Sequence, residues 1–302
     1  MIRFIKNWTL PISMIVGALL YKWIGYLSVI SPALIFTMLL LTFCKVRVAD
    51  LRLRTSHFLL LAVEIAGAIA AYYLISPFDP IVAQAIMVCV ICPTATAAAV
   101  VTNKLHGNVA SITTYTLLCN MVVAVVVPAF FPVIYPQEGV TFWVAFWHII
   151  RKVFPLLIFP FIVAQLLLRL TPKIHARLTS ISDLAFYMWA IALTIAMGIV
   201  VKTFINDFPS LQAISANWHV IFGMLTGSLI ACALQFFVGK SIGRPYGDTI
   251  ASGQSLGQKN TVFAIWMAST FLAPVTSLAP GMYIVWQNIF NSFQLYRERK
   301  NA

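Results

Sequence analysis

The chain has 302 residues, 61% of them hydrophobic and 9% charged, and its 20 Lys and Arg against 8 Asp and Glu give a formal net charge of +12. A soluble domain carries roughly a quarter charged residues, so this composition excludes one and defines an all-α polytopic membrane protein partnered by the lipid bilayer. It leaves room for about ten spans of ~20 residues and none for a separate soluble domain.

Taken in order, Arg3 and Lys6 lead into the first apolar run. No small-residue cleavage pattern follows, so the segment reads as a retained span and not a signal peptide. Hydropathy places spans at 8–26, 27–44, 57–76, 80–103, 109–135, 153–170, 184–201, 218–238, 249–272 and 276–296, the first two forming a tight hairpin beside Lys22. Residues 142–150, with Trp143, Trp147 and His148, are expected at the interface as a lead-in to the sixth span, because tryptophan favours the headgroup level. With a cytoplasmic N-terminus only Lys22, Arg151, Lys152 and Lys202 fall outside, and Lys259 lies within a span. That imbalance satisfies the positive-inside rule with both termini cytoplasmic. The basic residues are dispersed over short loops with no aromatic-basic platform beside them, which argues against nucleic acid as a partner.

The loop after residue 135 divides the chain into 1–135 and 136–302, with five spans in each part. Five is odd, so two related halves would lie inverted in the membrane. The fourth span contains Cys92-Pro93-Thr94-Ala95-Thr96-Ala97, and the ninth contains Ser252-Gly253-Gln254-Ser255-Leu256-Gly257-Gln258-Lys259-Asn260-Thr261. In hydrocarbon, a polar, glycine-broken stretch survives only against protein or a water-filled cavity. Interrupted helices at matching places in two halves point to a transporter binding site. Pro93 alone reads equally well as a kink. Gly253 and Gly257 could form a packing face, but packing does not require Gln254, Gln258, Lys259 and Asn260.

Most acidic residues fall in loops or at span ends, whereas Glu64 lies inside the third span at a depth similar to that of Lys259. A lysine at that depth costs roughly 2.5–3.5 kcal/mol, so Glu64 and Lys259 are predicted to pair. The competing reading has each snorkel to the headgroups separately. The five cysteines (Cys44, Cys89, Cys92, Cys119 and Cys232) lie in predicted spans and read as small packing residues, the Cys89-x-x-Cys92 spacing included.

An intramembrane enzyme is the rival class. His57, His106, His148, His175 and His219 are all placed in loops or at the interface, and there is no H-E-x-x-H. Gly253-x-Ser255-x-Gly257 matches a nucleophile elbow but lacks the strand-to-helix turn and a histidine. A channel is the second rival, disfavoured by breaks without a ring of charge.

Four local stretches in the right order resemble the bile acid:sodium symporter family and its bacterial members. They are Pro93-Thr94-Ala95-Thr96, Gly107-Asn108-Val109-Ala110, Leu256-Gly257-Gln258-Lys259-Asn260, and Pro280-Gly281 followed by Trp286-Gln287-Asn288. The resemblance implies ten helices in two inverted five-helix repeats, with helices 4 and 9 discontinuous and crossed. A panel domain (spans 1, 2, 6 and 7) would face a core domain (spans 3, 4, 5, 8, 9 and 10), in a bacterial inner membrane. It also implies alternating-access transport of a bile acid-like, steroid-like or other carboxylate or sulfonate anion, contacted by Asn260, Thr94, Thr96, Gln258 and Asn288.

The departures bear on coupling. Ser255 stands where the family's first sodium site has a glutamate, Ala97 replaces an asparagine, and Thr116 keeps one hydroxyl. Lys259 stands where the second site has a glutamine, and Glu64 matches another. The ion-coupling set is therefore Glu64, Lys259, Ser255, Thr116 and Gln254, with the sodium sites lost and no other cofactor implied. A Glu64–Lys259 pair in place of sodium makes the protein proton-coupled or a sodium-independent carrier. The alternative is a sodium symporter with degenerate sites.

Overall fold

A computed structural model describes residues 2–180 and 184–301. It is all-helical among those residues. The first part of the chain forms α1 (Ile2–Leu19), α2 (Tyr21–Ile24), α3 (Ser31–Phe43), α4 (Thr55–Ile75), α5 (Pro80–Ile91), α6 (Ala98–Lys104) and α7 (Val109–Ile134). The second forms α8 (Phe142–Leu170), α9 (Pro172–Ser180), α10 (Leu184–Asp207), α11 (Leu211–Ala216), α12 (Trp218–Gly243), α13 (Thr249–Gly257), α14 (Thr261–Phe271) and α15 (Leu278–Asn301). Asp183 and the side chains of Arg3, Lys6, Asp50 and Arg299 lie outside the described residues.

Six stretches are long and apolar enough to cross a bilayer: Tyr26–Phe43, Thr55–Ile75, Val109–Ile134, Phe142–Leu170, Tyr187–Asp207 and Trp218–Tyr246. Four of the ten predicted spans fall outside that set: those at 8–26 and 276–296, and those at 80–103 and 249–272, each of the latter two being broken into two short helices. The breaks have local causes. Cys92 precedes Pro93, a position where proline disfavours the helical region, and its ψ of 136° carries the chain into an extended conformation. Asp79 caps the start of α5 by accepting from the Ile81 and Val82 N–H groups; after the breaks, Asn260 caps α14 by accepting from Phe263 N–H, whereas Ala97 gives α6 no side-chain cap.

Two expectations are corrected. The predicted start of the sixth span at 153 moves to 142: residues 142–150, expected as its lead-in, are the first turns of α8, a continuous 29-residue helix. At 1.5 Å per residue it is about 43 Å long, more than the ~30 Å of hydrocarbon, so an upright α8 is longer than the apolar slab. The loop after residue 135 is correspondingly shorter than the hydropathy implied. His57 is not interfacial: it is 1% exposed in the first turn of α4, because Ser111 of α7 supplies a buried hydrogen-bond partner.

Helices α1, α3, α8 and α10 pack together, and α10 also reaches α14, α15 and the turn at 274–277. The other group centres on α12, which packs on α5, α13 and α15. The approach of α12 to α13 depends on glycine. A Cβ on Gly243 would lie 2.5 Å from the Asp248 carbonyl, and one on Gly239 would meet the Ser252 backbone.

Candidate functional site

The two broken helices meet as a pair of extended segments. Thr94 and Lys259 are bridged antiparallel. Ala95 N–H donates to the Gln258 carbonyl and Asn260 N–H to the Pro93 carbonyl, both at 2.8 Å. Each break thereby satisfies peptide groups that the other leaves without an intrahelical partner, which is what a helix interruption at membrane depth requires. Further bonds lock the crossing. Thr94 Oγ1 donates to the Ser255 carbonyl at 2.6 Å, the Lys259 N–H to Gln287 Oε1 at 2.9 Å, and the Tyr283 hydroxyl to the Gly257 carbonyl at 2.9 Å.

The Lys259 ammonium, on a residue 1% exposed, lies 2.9 Å from Glu64 Oε1, and the glutamate is equally buried. The other Glu64 contacts come from α7: the Tyr115 hydroxyl donates to Oε2 and the Cys119 thiol approaches Oε1 at 3.3 Å. Lys259 also follows the C-terminal end of α13, where the helix dipole favours a cation. Tyr115→Phe removes one donor to a buried carboxylate and is expected to lower stability by about 1.5–3 kcal/mol, measured by chemical denaturation of the purified protein.

The remaining predicted site residues divide by exposure. Thr94 is fully buried and Gln258 is 5% exposed with its Oε1 unpaired, while Asn260 is 9% exposed and uses its side chain as the α14 cap. Thr96 and Asn288 are half-buried, Asn288 donating to the Ile284 carbonyl. Among the coupling set, Thr116 donates to Ile112 of its own helix, Gln254 donates to Asn291 Oδ1 at 2.9 Å, and the Ser255 hydroxyl is buried without a partner among the described residues. These residues do not fit a sodium ion at the second family position: the carboxylate there already faces an ammonium. At the first, no carboxylate is supplied by Ser255 or Thr116.

Sequence reasoning missed Tyr115, Cys119, Tyr283 and Gln287. The first two had a legible signal, since Ser111, Tyr115 and Cys119 follow at four-residue steps on one face of α7. Below them His57 Nε2 faces Ser111 Oγ at 2.8 Å, the Ser111 hydroxyl donates to Asp248 Oδ2, and Arg54 Nη1 lies 3.9 Å from that oxygen. Burial raises the Asp248 carboxyl above the usual carboxylate range, while the Ser111 bond and Arg54 oppose the shift. A carboxyl raised on folding stabilises the chain at low pH, and this contribution is lost as pH rises through its folded value.

Six helices long and apolar enough to cross a membrane, together with two broken helix pairs joined beside a buried ion pair, fit a multi-pass membrane transporter. The chain belongs to the SBF-like CPA transporter family (DUF4137), which matches residues 45–297, and this agrees with the bile acid:sodium symporter-like resemblance of its motifs. No curated protein matches the sequence.

Proposed function

We propose that the protein is a secondary transporter that moves an organic carboxylate or sulfonate, bile acid-like or steroid-like, by alternating access without sodium. The observation that carries this reading is the Lys259 ammonium at the crossing, 2.9 Å from Glu64: a side-chain cation stands where the related symporters are expected to bind a metal ion.

In this reading the ten spans are α1, α3, α4, α5 with α6, α7, α8, α10, α12, α13 with α14, and α15. The broken pairs α5/α6 and α13/α14 occupy corresponding places in two inverted repeats, 1–135 and 136–302. The panel is α1, α3, α8 and α10, and the remaining spans form the core. The two groups meet through α10 and α3 on α14, α15 and the 274–277 turn, and through α8 on α7. Both termini are cytoplasmic in a bacterial inner membrane, following the distribution of basic residues. Thr96 and Asn288 are the half-buried substrate contacts in the set; Asn260 is buried as the cap of α14, and the N-terminal end of that helix favours an anion beside it.

Thermal-shift titration of the purified protein with steroidal and aliphatic carboxylates and sulfonates, in sodium or choline chloride, tests the proposal. A stabilising anion with the same affinity in both salts is expected. Saturable stabilisation by sodium alone would overturn the replacement of the ion by Lys259. Uptake of that anion into proteoliposomes with a pH-sensitive dye inside then separates proton coupling from passive exchange.

A further inference from the structure

The buried network below the ion pair uses the same three elements. His57 and Glu64, seven residues apart, share a face of α4. Ser111 lies one turn before Tyr115 on α7, and Asp248 immediately precedes α13, whose far end leads to Lys259. The register in which α4, α7 and α13 meet at Asp248 therefore sets the geometry in which Glu64, Tyr115 and Lys259 meet.

The hydrogen bonds of the network have a direction. His57 Nδ1 accepts from the Arg54 N–H at 3.3 Å, so the ring proton is on Nε2, which donates to Ser111 Oγ. The Ser111 hydroxyl passes the chain on to Asp248 Oδ2. This arrangement admits only a neutral imidazole. A proton on Nδ1 would form an N–H bond pointing at the Arg54 N–H, at the positive end of the α4 dipole, and toward the Arg54 guanidinium. From the other elements His57 faces Tyr115, with ring centroids 6.3 Å apart, and Asp248 through Ser111. His57, Ser111 and Asp248 are 1%, 4% and 3% exposed, so the added charge has no water to relieve it while the network is closed.

We infer that the His57–Ser111–Asp248 network is a proton-operated clamp on the core: neutral His57 holds the starts of α4, α7 and α13 together, and proton uptake at Nδ1 releases them. The proton comes from water, the bond formed is Nδ1–H, and what is lost is the Arg54 N–H hydrogen bond that caps α4. The route in is beside Arg54, whose side chain is 41% exposed. Acid thus loosens the frame that positions Glu64 against Lys259. The clamp rests on the transport reading only for what it would regulate; its chemistry needs no substrate.

Hydrogen–deuterium exchange of the full-length purified protein at about pH 7.5 and about pH 5.5, on either side of the ordinary imidazole value of ~6.5, tests it once corrected for intrinsic exchange rates. In the wild type, amide protection near 55–60, 111–115 and 249–253 is expected to fall on acidification. A single linked proton gives up to about tenfold per pH unit. His57→Gln can accept from the Arg54 N–H and donate to Ser111 but cannot take up a proton, so it should stay closed at both pH values. Ser111→Ala should be open at both. Wild-type protection indifferent to pH, or a His57→Gln protein with the full acid response, would overturn the clamp. So would loss of the response in the double variant Glu64→Gln/Lys259→Met, which removes the ion pair without leaving a buried unpaired charge and which the transport reading expects to lose coupling while this network stays intact.

Discussion

Lys259→Met is expected to destabilise the protein by about 3–5 kcal/mol, because it leaves the Glu64 carboxylate buried beside Tyr115 and Cys119 with its counter-charge removed. Glu64→Gln should cost a similar amount for the converse reason. The double variant Glu64→Gln/Lys259→Met should recover most of the loss, since neutral groups of similar size pack in the same space without a desolvated charge. Denaturant unfolding of the four proteins in one detergent gives the coupling directly. If the two single effects simply add, the side chains act independently and the pair is not the unit argued above. Transport should separate from stability in this set: the double variant folds well but carries no charge at the crossing, so it should bind substrate without coupled movement.

Gly239→Leu is expected to have the second-largest effect. A Cβ there would meet the Ser252 carbonyl and lie 3.0 Å from Gly253 Cα, so the obstacle is the backbone of α13 and not a side chain that can turn away. Overpacking of this kind costs ~1–3 kcal/mol, occasionally more, and a branched side chain against backbone belongs at the upper end. The helix that must move carries Ser255 and leads to Lys259, so the damage should reach the crossing. Gly67→Ala is the internal contrast. Its Cβ would lie 3.7 Å from Val90 Cγ1, an ordinary contact, and replacing glycine within α4 should stabilise by about 0.5–1 kcal/mol. Equal losses in both variants would mean that helix propensity, and not the α12–α13 approach, governs these positions.

Much of this site could be read from the residues because hydrocarbon makes polar groups conspicuous. Glu64 and Lys259 stood out as charges inside apolar runs, and the structure brings them within 2.9 Å. Pro93 marked one break by its effect on Cys92, and the amide-rich stretch at Gln254–Asn260 marked the other. What escaped was whatever hydropathy treats as unremarkable. Tyr115 and Cys119 count as ordinary span residues, and only the face they share with Ser111 connects them to Glu64. His57 looked interfacial because a histidine near a helix start usually is; its burial depends on Ser111, 54 positions away in sequence. Hydropathy also set the start of the sixth span at residue 153, eleven positions into a helix whose first turns carry aromatic rings suited to the headgroups.

The exchange of hydrogen bonds between the two extended segments has a consequence for how the chain can be divided or altered. Neither interruption is viable by itself: remove Pro93–Ala95 from its place and the Gln258 carbonyl and Asn260 N–H are left buried without these partners, and the reverse holds equally. A fragment that stops after α7 should therefore fail to hold its fourth span in the bilayer unless the remaining fragment is supplied alongside it. By the same reasoning, sequence change that straightens one broken helix is tolerated only when the other is straightened too, so the two interruptions persist or disappear as a unit.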